Sequence, residues 1–167
     1  MPKEIERKFL VARDDWRREF NVVKRFQQAV IISEGNRTLR IRIIDDKDGK
    51  HARLTLKLGI DGSTMSRHEF EYEIPLAEGE ELMALANGKK ISKTRYEVPR
   101  GDHVWEIDVY DGNLDGLIVA EVEMKTEDAS PEMPSWLGRE LTGDRRFSNQ
   151  ALAEGSLGDN WRDGLQD

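Results

Sequence analysis

Hydrophobic and polar residues alternate with a period of two through most of this chain, in short runs separated by turn residues. The runs are EIERKFLV (4–11), QQAVIIS (27–33), TLRIRII (38–44), ARLTLKLG (52–59), RHEFEYEIP (67–75), KISKTRYEV (90–98), VWEIDVYD (104–111) and LIVAEVEMK (117–125). Strict alternation places successive side chains on opposite faces of a strand, so eight strands are predicted. Turn chemistry stands at the joints: Glu34-Gly35-Asn36, Asp48-Gly49, Asp61-Gly62-Ser63, Pro99-Arg100-Gly101-Asp102 and Asp111-Gly112-Asn113. Three stretches read as helical. They are 14–20, then 76–87 with Leu82, Leu85 and Ala86 on one stripe and Gly88 as its stop, and 147–155 with Ser148 or Asn149 as N-cap. The pattern predicts one mainly β (α+β) domain over 1–155, and a flexible tail over 156–167 whose Trp161 can dock on the body.

The faces of these strands are unusual. On seven of the eight one face is apolar, and the other carries charges that sort by sign. Basic rows fall on the third, fourth and sixth runs: Arg40 and Arg42; Arg53 and Lys57; Lys93 and Arg95. Acidic rows fall on the first, fifth, seventh and eighth: Glu4 and Glu6 beside Lys8; Glu69 and Glu71; Glu106 and Asp108; Glu121 and Glu123. Residues two apart on one face lie about 6.5–7 Å apart, so like charges repel unless water or a counter-charge intervenes. Eight strands can close into an antiparallel barrel and remove every exposed edge. The sign sorting then places the charged rows inside and the apolar faces outside, beneath the helices. Inside, Arg and Lys would grip phosphate oxygens and carboxylates would hold a hard cation such as Mg²⁺ or Mn²⁺. So many cations suit a polyanion, such as a triphosphate, better than a monophosphate.

Composition narrows the classes. The chain has 167 residues and a net charge of −7, which disfavours a nucleic-acid partner. It has no cysteine, which excludes a disulfide framework, a thiolate metal site and a cysteine nucleophile. No apolar run approaches the ~20 residues of a membrane-spanning helix, and MPKEIERKF is not a signal peptide. A cytoplasmic protein is expected, with no membrane partner. An outer barrel face leaves monomer and homodimer both open.

These residues resemble the CYTH superfamily, the triphosphate tunnel metalloenzymes. The resemblance rests on Glu4-x-Glu6-x-Lys8, then Arg40-x-Arg42, Thr55-x-Lys57, Arg67-x-Glu69-x-Glu71, Lys93-x-Arg95, Glu106-x-Asp108 and Glu121-x-Glu123, and on GRELTGDRRFSNQALA (138–153). It implies an eight-stranded antiparallel tunnel and metal-dependent chemistry on a triphosphate, and the chain is most similar to the triphosphatase branch. Lys8, Arg40, Arg42, Arg53, Lys57, Lys93 and Arg95 are then expected to bind substrate. Glu4, Glu6, Glu69, Glu71, Asp108, Glu121 and Glu123 are expected to hold one or two cations, and Lys8, Glu6 and Glu123 to act in catalysis. Lys8 holds the terminal phosphate, moves a proton, or simply pairs with Glu6. Hydrolysis of tripolyphosphate to pyrophosphate and phosphate is the leading expectation. The alternatives are a class IV-type adenylate cyclase, a thiamine triphosphatase and a non-catalytic polyphosphate-binding module. Tyr110 is expected to face inward, the histidines to lie on the surface, and Trp16, Trp105 and Trp136 to anchor the core.

Overall fold

The computed structural model describes residues 2–86, 90–153, 155, 157, 158 and 161, with Gln150 described by its backbone alone. Nine strands form: β1 (Lys3–Val11), β2 (Val22–Glu34), β3 (Arg37–Asp46), β4 (Gly49–Gly59), β5 (Ser66–Ile74), β6 (Ile91–Arg100), β7 (His103–Tyr110), β8 (Ile118–Glu123) and β9 (Leu137–Glu140). The first eight close an antiparallel barrel in the order β1-β5-β4-β3-β2-β6-β7-β8 and back to β1. Closure depends on how β1 divides its hydrogen bonds. Lys3–Ile5 pair with 66–68 of β5, while residues 6–10 pair with 119–123 of β8. The edge of β1 that β5 leaves free is taken by β9, a strand the alternation does not announce because it is only four residues long.

The apolar strand faces point outward and are largely covered, with Tyr72 on β5 left 60% exposed. Helix α1 (Leu76–Leu85) packs against β2, β3 and β4, over a core of Ala29, Ile41, Ala52 and Met83. Met83, rather than Leu85, occupies the centre of its buried stripe, and Leu85 is 74% exposed. The expected stop at Gly88 lies outside the described residues. The stretch predicted helical at 14–20 forms only a short 3₁₀ turn, Asp15–Arg18. That turn still drives Trp16 into a second outer core with Phe9, Trp105, Val122 and Trp136. All three predicted tryptophan anchors are fully buried. Truncating one aromatic in such a cluster to Ala costs about 3–5 kcal/mol.

The third core lies at one end of the barrel. Leu10, Tyr110 and Val119 continue the inward-facing rows there and meet Leu141, Phe147 and Leu152 of the C-terminal segment. This segment makes a 3₁₀ turn, Arg145–Phe147, and then helix α2 (Asn149–Ala153). Ser148 caps α2, its Oγ accepting from the Ala151 N–H at 3.1 Å. Of the predicted tail 156–167, most lies outside the described residues, but Leu157 and Trp161 pack half-buried against this core.

Candidate active site

Because alternation fixes the faces, turning the apolar rows outward turns the charged rows into the barrel. They enclose a cavity of about 380 Å³, lined by eight carboxylates and eight basic side chains among the described residues. Glu4, Glu6 and Lys8 come from β1, Arg40 and Arg42 from β3, Arg53 and Lys57 from β4, Glu69 and Glu71 from β5, Arg95 from β6, and Glu121 and Glu123 from β8. Lys93 and Asp108, also expected in the site, do not line the cavity. They form a fully buried pair, Nζ to Oδ2 at 2.6 Å, behind the Arg95 side chain. Asp108 also accepts from Arg95 Nε at 2.7 Å and Nη2 at 2.9 Å, so both its oxygens are occupied by cations.

Strand register puts like charges face to face on the acidic wall. Glu6 lies directly opposite Glu123 across β1 and β8, and Glu121 opposite Glu106 across β7 and β8. Burial pushes the Glu6 carboxyl well above the usual range, and Glu121 and Glu4 add to the rise. Glu123 and Glu106 also rise, first through burial and then through neighbouring carboxylates. Glu69 is pushed up to about 7 by burial and by the adjacent Glu4. Burial alone would raise Glu4 too, but Lys57 at 3.1 Å and Arg67 at 3.1 Å hold it below the usual range. This wall is therefore rich in carboxylate oxygens that lack positive charge.

The basic wall has the opposite shortage. Arg53 pairs with Glu71 at 2.9 Å, and Lys57 lies between Glu4 and Glu69. Arg95 is held by Asp108 and Glu106. Arg40 and Arg42 are each more than nine-tenths buried, yet among the described residues no carboxylate lies within 4.0 Å of either guanidinium. Arg40 donates only to Thr55 Oγ1, at 3.4 Å, and its Nε has no partner. Arg42 donates from Nε to Gln28 Oε1 at 2.9 Å. Burial depresses both guanidinium pKa values, Arg42 the more strongly, and nearby cations add to the effect. Two buried cations without counter-charge form a receptor for an anion.

Lys8 pairs with Glu121 at 3.5 Å, rather than with Glu6, and donates to the Phe147 carbonyl at 3.2 Å. Tyr110 does face inward, and its hydroxyl donates to Asn149 Oδ1 at 3.2 Å. Glu73 and Arg145 are exposed, and neither they nor Arg146 line the cavity. His51 does line it, beside Asp46, whereas the sequence suggested a plain surface residue. Lys24 and Phe26, which sequence reading did not single out, also line it, as do Ser148 and Asn149, which it took only as N-cap candidates. Phe26 and Lys24 belong to the first half of β2, where the predicted run had not yet begun. The lining residues of the C-terminal segment carry no periodic signal at all.

Whether a divalent cation suits this cavity turns on its donors. Among the described residues, no three His, Asp or Glu side chains are gathered closely enough to hold an ion as they stand. Their chemistry nonetheless suits a hard cation: the donors are all carboxylate oxygens, and the raised Glu6 and Glu123 signal negative charge waiting for a positive partner.

A CYTH domain profile matches residues 2–151. This chain belongs to the CYTH family. Two relatives bear the description inorganic triphosphatase. The one from Acetivibrio thermocellus is 37% identical over 155 residues, covering 92% of this chain and 95% of the relative. The one from Nitrosomonas europaea is also 37% identical over 155 residues, covering 90% and 96%. The crystal structure of the inorganic triphosphatase NE1496 superposes with a TM-score of 0.62 at 33% identity, covering 92% of this chain and 95% of that one. The closed eight-stranded antiparallel barrel expected of a CYTH protein is the fold observed here. Among the described residues of this CYTH chain, no helix is long and apolar enough to cross a membrane.

Proposed function

We propose that this CYTH protein hydrolyses inorganic tripolyphosphate to pyrophosphate and phosphate, with Mg²⁺ or Mn²⁺ bound. The observation that carries this reading is the pair of buried, uncompensated guanidiniums of Arg40 and Arg42 facing a carboxylate wall inside a closed barrel. The relatives described as inorganic triphosphatases support the substrate class. In the reaction, water attacks the terminal phosphorus, the P–O–P bond breaks and pyrophosphate leaves. Arg40 and Arg42 bind the polyphosphate oxygens through N–H donors that no carboxylate occupies. Lys57 and Arg53 extend this basic surface along β4. Lys8, at the junction of the two walls, holds the terminal phosphate with its ammonium group. Glu6, Glu121 and Glu123 would hold the metal, with Glu4, Glu69 and Glu71 as flanking carboxylates. A bound divalent cation supplies positive charge at the phosphate oxygens and lowers the pKa of a coordinated water. The reading carries with it a cytoplasmic location and a free small-molecule substrate in place of nucleic acid, in keeping with the acidic net charge.

The test is a substrate panel of tripolyphosphate, ATP and thiamine triphosphate, each with Mg²⁺, with Mn²⁺ and with a chelator. Phosphate, pyrophosphate and cyclic AMP are followed separately. The expected result is phosphate from tripolyphosphate, lost with chelator and lost in Glu6→Gln while that variant stays folded. Cyclic AMP from ATP as the main product would replace this reading with the cyclase one. No turnover of any member, with retained polyphosphate binding, would make the protein a binding module.

A further inference from the structure

A buried arginine meant to receive an anion poses a physical problem. It must be stabilised before the ligand arrives, and a carboxylate is the usual means. A carboxylate, however, occupies the N–H fork in bidentate fashion and adds a negative charge that repels the incoming polyanion. Arg95 shows that outcome, with its fork committed to Asp108 and Glu106.

Arg42 is held differently. Its Cζ stands 4.3 Å from the centroid of the Phe26 ring. Phe26 is 3% exposed, lines the cavity from β2, and is the one Phe, Tyr or Trp among the described lining residues. The same ring has Arg95 Cζ at 4.9 Å and Lys93 Nζ at 6.0 Å. One aromatic ring thus has three cations around it. The negative electrostatic potential of the ring face stabilises a guanidinium through its flat surface, most strongly where water is excluded. It does so without accepting from the outward-facing N–H groups and without adding net charge. The remaining polar contact, from Arg42 Nε to Gln28 Oε1, also comes from β2 and fixes the edge that points away from the fork.

We propose that Phe26 is a positioning residue for substrate binding, holding the Arg42 guanidinium by its face so that its terminal N–H groups remain open to the phosphate oxygens. The inference rests on the reading of the cavity as a triphosphate site.

The experiment compares wild-type protein with Phe26→Leu and with a series carrying phenylalanine, 4-fluoro-, 3,5-difluoro- and 3,4,5-trifluorophenylalanine at position 26. Fluorination weakens the ring's electrostatic potential in steps while nearly preserving its volume. Tripolyphosphate binding is measured by calorimetry with chelator present, and KM and kcat with metal present. Phe26→Leu should weaken tripolyphosphate binding about tenfold, seen mainly in KM. Across the fluorinated series, affinity should fall stepwise, and the melting temperature of the free protein should fall slightly with it as the ring's hold on the guanidinium weakens. In an Arg42→Ala background the loss from Phe26→Leu should largely vanish, because the two residues act through one interaction. A flat fluorination series, or an undiminished Phe26→Leu effect in the Arg42→Ala background, would overturn the assignment. Should Arg42→Ala itself leave tripolyphosphate binding intact, the cavity reading fails instead, and the two failures are thereby told apart. If Phe26→Leu does not fold, the fluorinated series decides alone.

Discussion

Glu69 illustrates how a side chain of ordinary chemistry is altered by its wall. Burial and the neighbouring Glu4 raise its carboxyl from 4.5 to about 7. In the metal-free folded protein it therefore binds a proton that the unfolded chain has released, over the window between about 4.5 and about 7. Its contribution to stability is present in full below the unfolded value and is lost as pH rises through the folded one. Glu69→Gln cannot ionise. Urea unfolding of metal-free protein should thus show Glu69→Gln gaining on wild type between pH 5 and pH 8, and a constant gap would refute the assignment. Lys93 behaves in the opposite sense: burial draws its ammonium down to about 7 against the pull of Asp108 at 2.6 Å. Its protonation in the fold is costly below pH 7, so its contribution to stability rises with pH between about 7 and 10.5. The charge type of nearly all these residues, and the face they share, could be read from spacing alone. Spacing could not separate Lys93 and Asp108, which pair behind the wall, from Lys57 and Glu121, which border the cavity, because depth within a barrel does not enter the period-two pattern.

At the scale of elements, alternation identified seven barrel strands by one charged and one apolar face, and the second, QQAVIIS, as an uncharged run. It failed where that contrast was absent. β2 begins five residues before the run predicted there, and a register shift between Val30 and Ile32 breaks its alternation. The shift also hid the inward positions of Phe26 and Gln28, which are uncharged and look like any strand residue. β9 lacks an alternating pattern; Arg7 of β1 reaches it in a bidentate contact with Glu140 at 2.8 and 2.9 Å. Exposed pairs of this kind contribute about 1 kcal/mol or less, so β9 depends mostly on its backbone pairing. Helix α1 approaches the barrel at Gly79, where an added Cβ would lie 2.4 Å from the Ala52 Cβ. Alanine there gains about 1 kcal/mol of helix propensity but incurs overpacking of about 1–3 kcal/mol. Gly79→Ala should lower the melting temperature, and adding Ala52→Gly should recover part of the loss. A gain in melting temperature from Gly79→Ala alone would mean that the helix shifts at no cost.

For the whole molecule, the distribution of charge inverts the common plan of a small protein. The three apolar clusters sit outside the barrel wall and at its C-terminal end, while the centre holds ions. A ligand that neutralises the centre should therefore stabilise the entire fold. Tripolyphosphate at about a hundred times its Kd should add about 2.7 kcal/mol, seen as a rise of about 5–10 °C in melting temperature. Arg42→Ala should reduce that rise sharply, and an equal rise in the variant would place the ligand elsewhere. The division of β1 among β5, β8 and β9 has a further consequence. β1 meets β8 and β9 only once residues 118–140 have followed it out of the ribosome. The face that closure turns inward is ionic, so before closure water can solvate it. The side that needs cover is the apolar back of the wall, and α1, which follows β5 directly in the chain, supplies that cover over β2, β3 and β4.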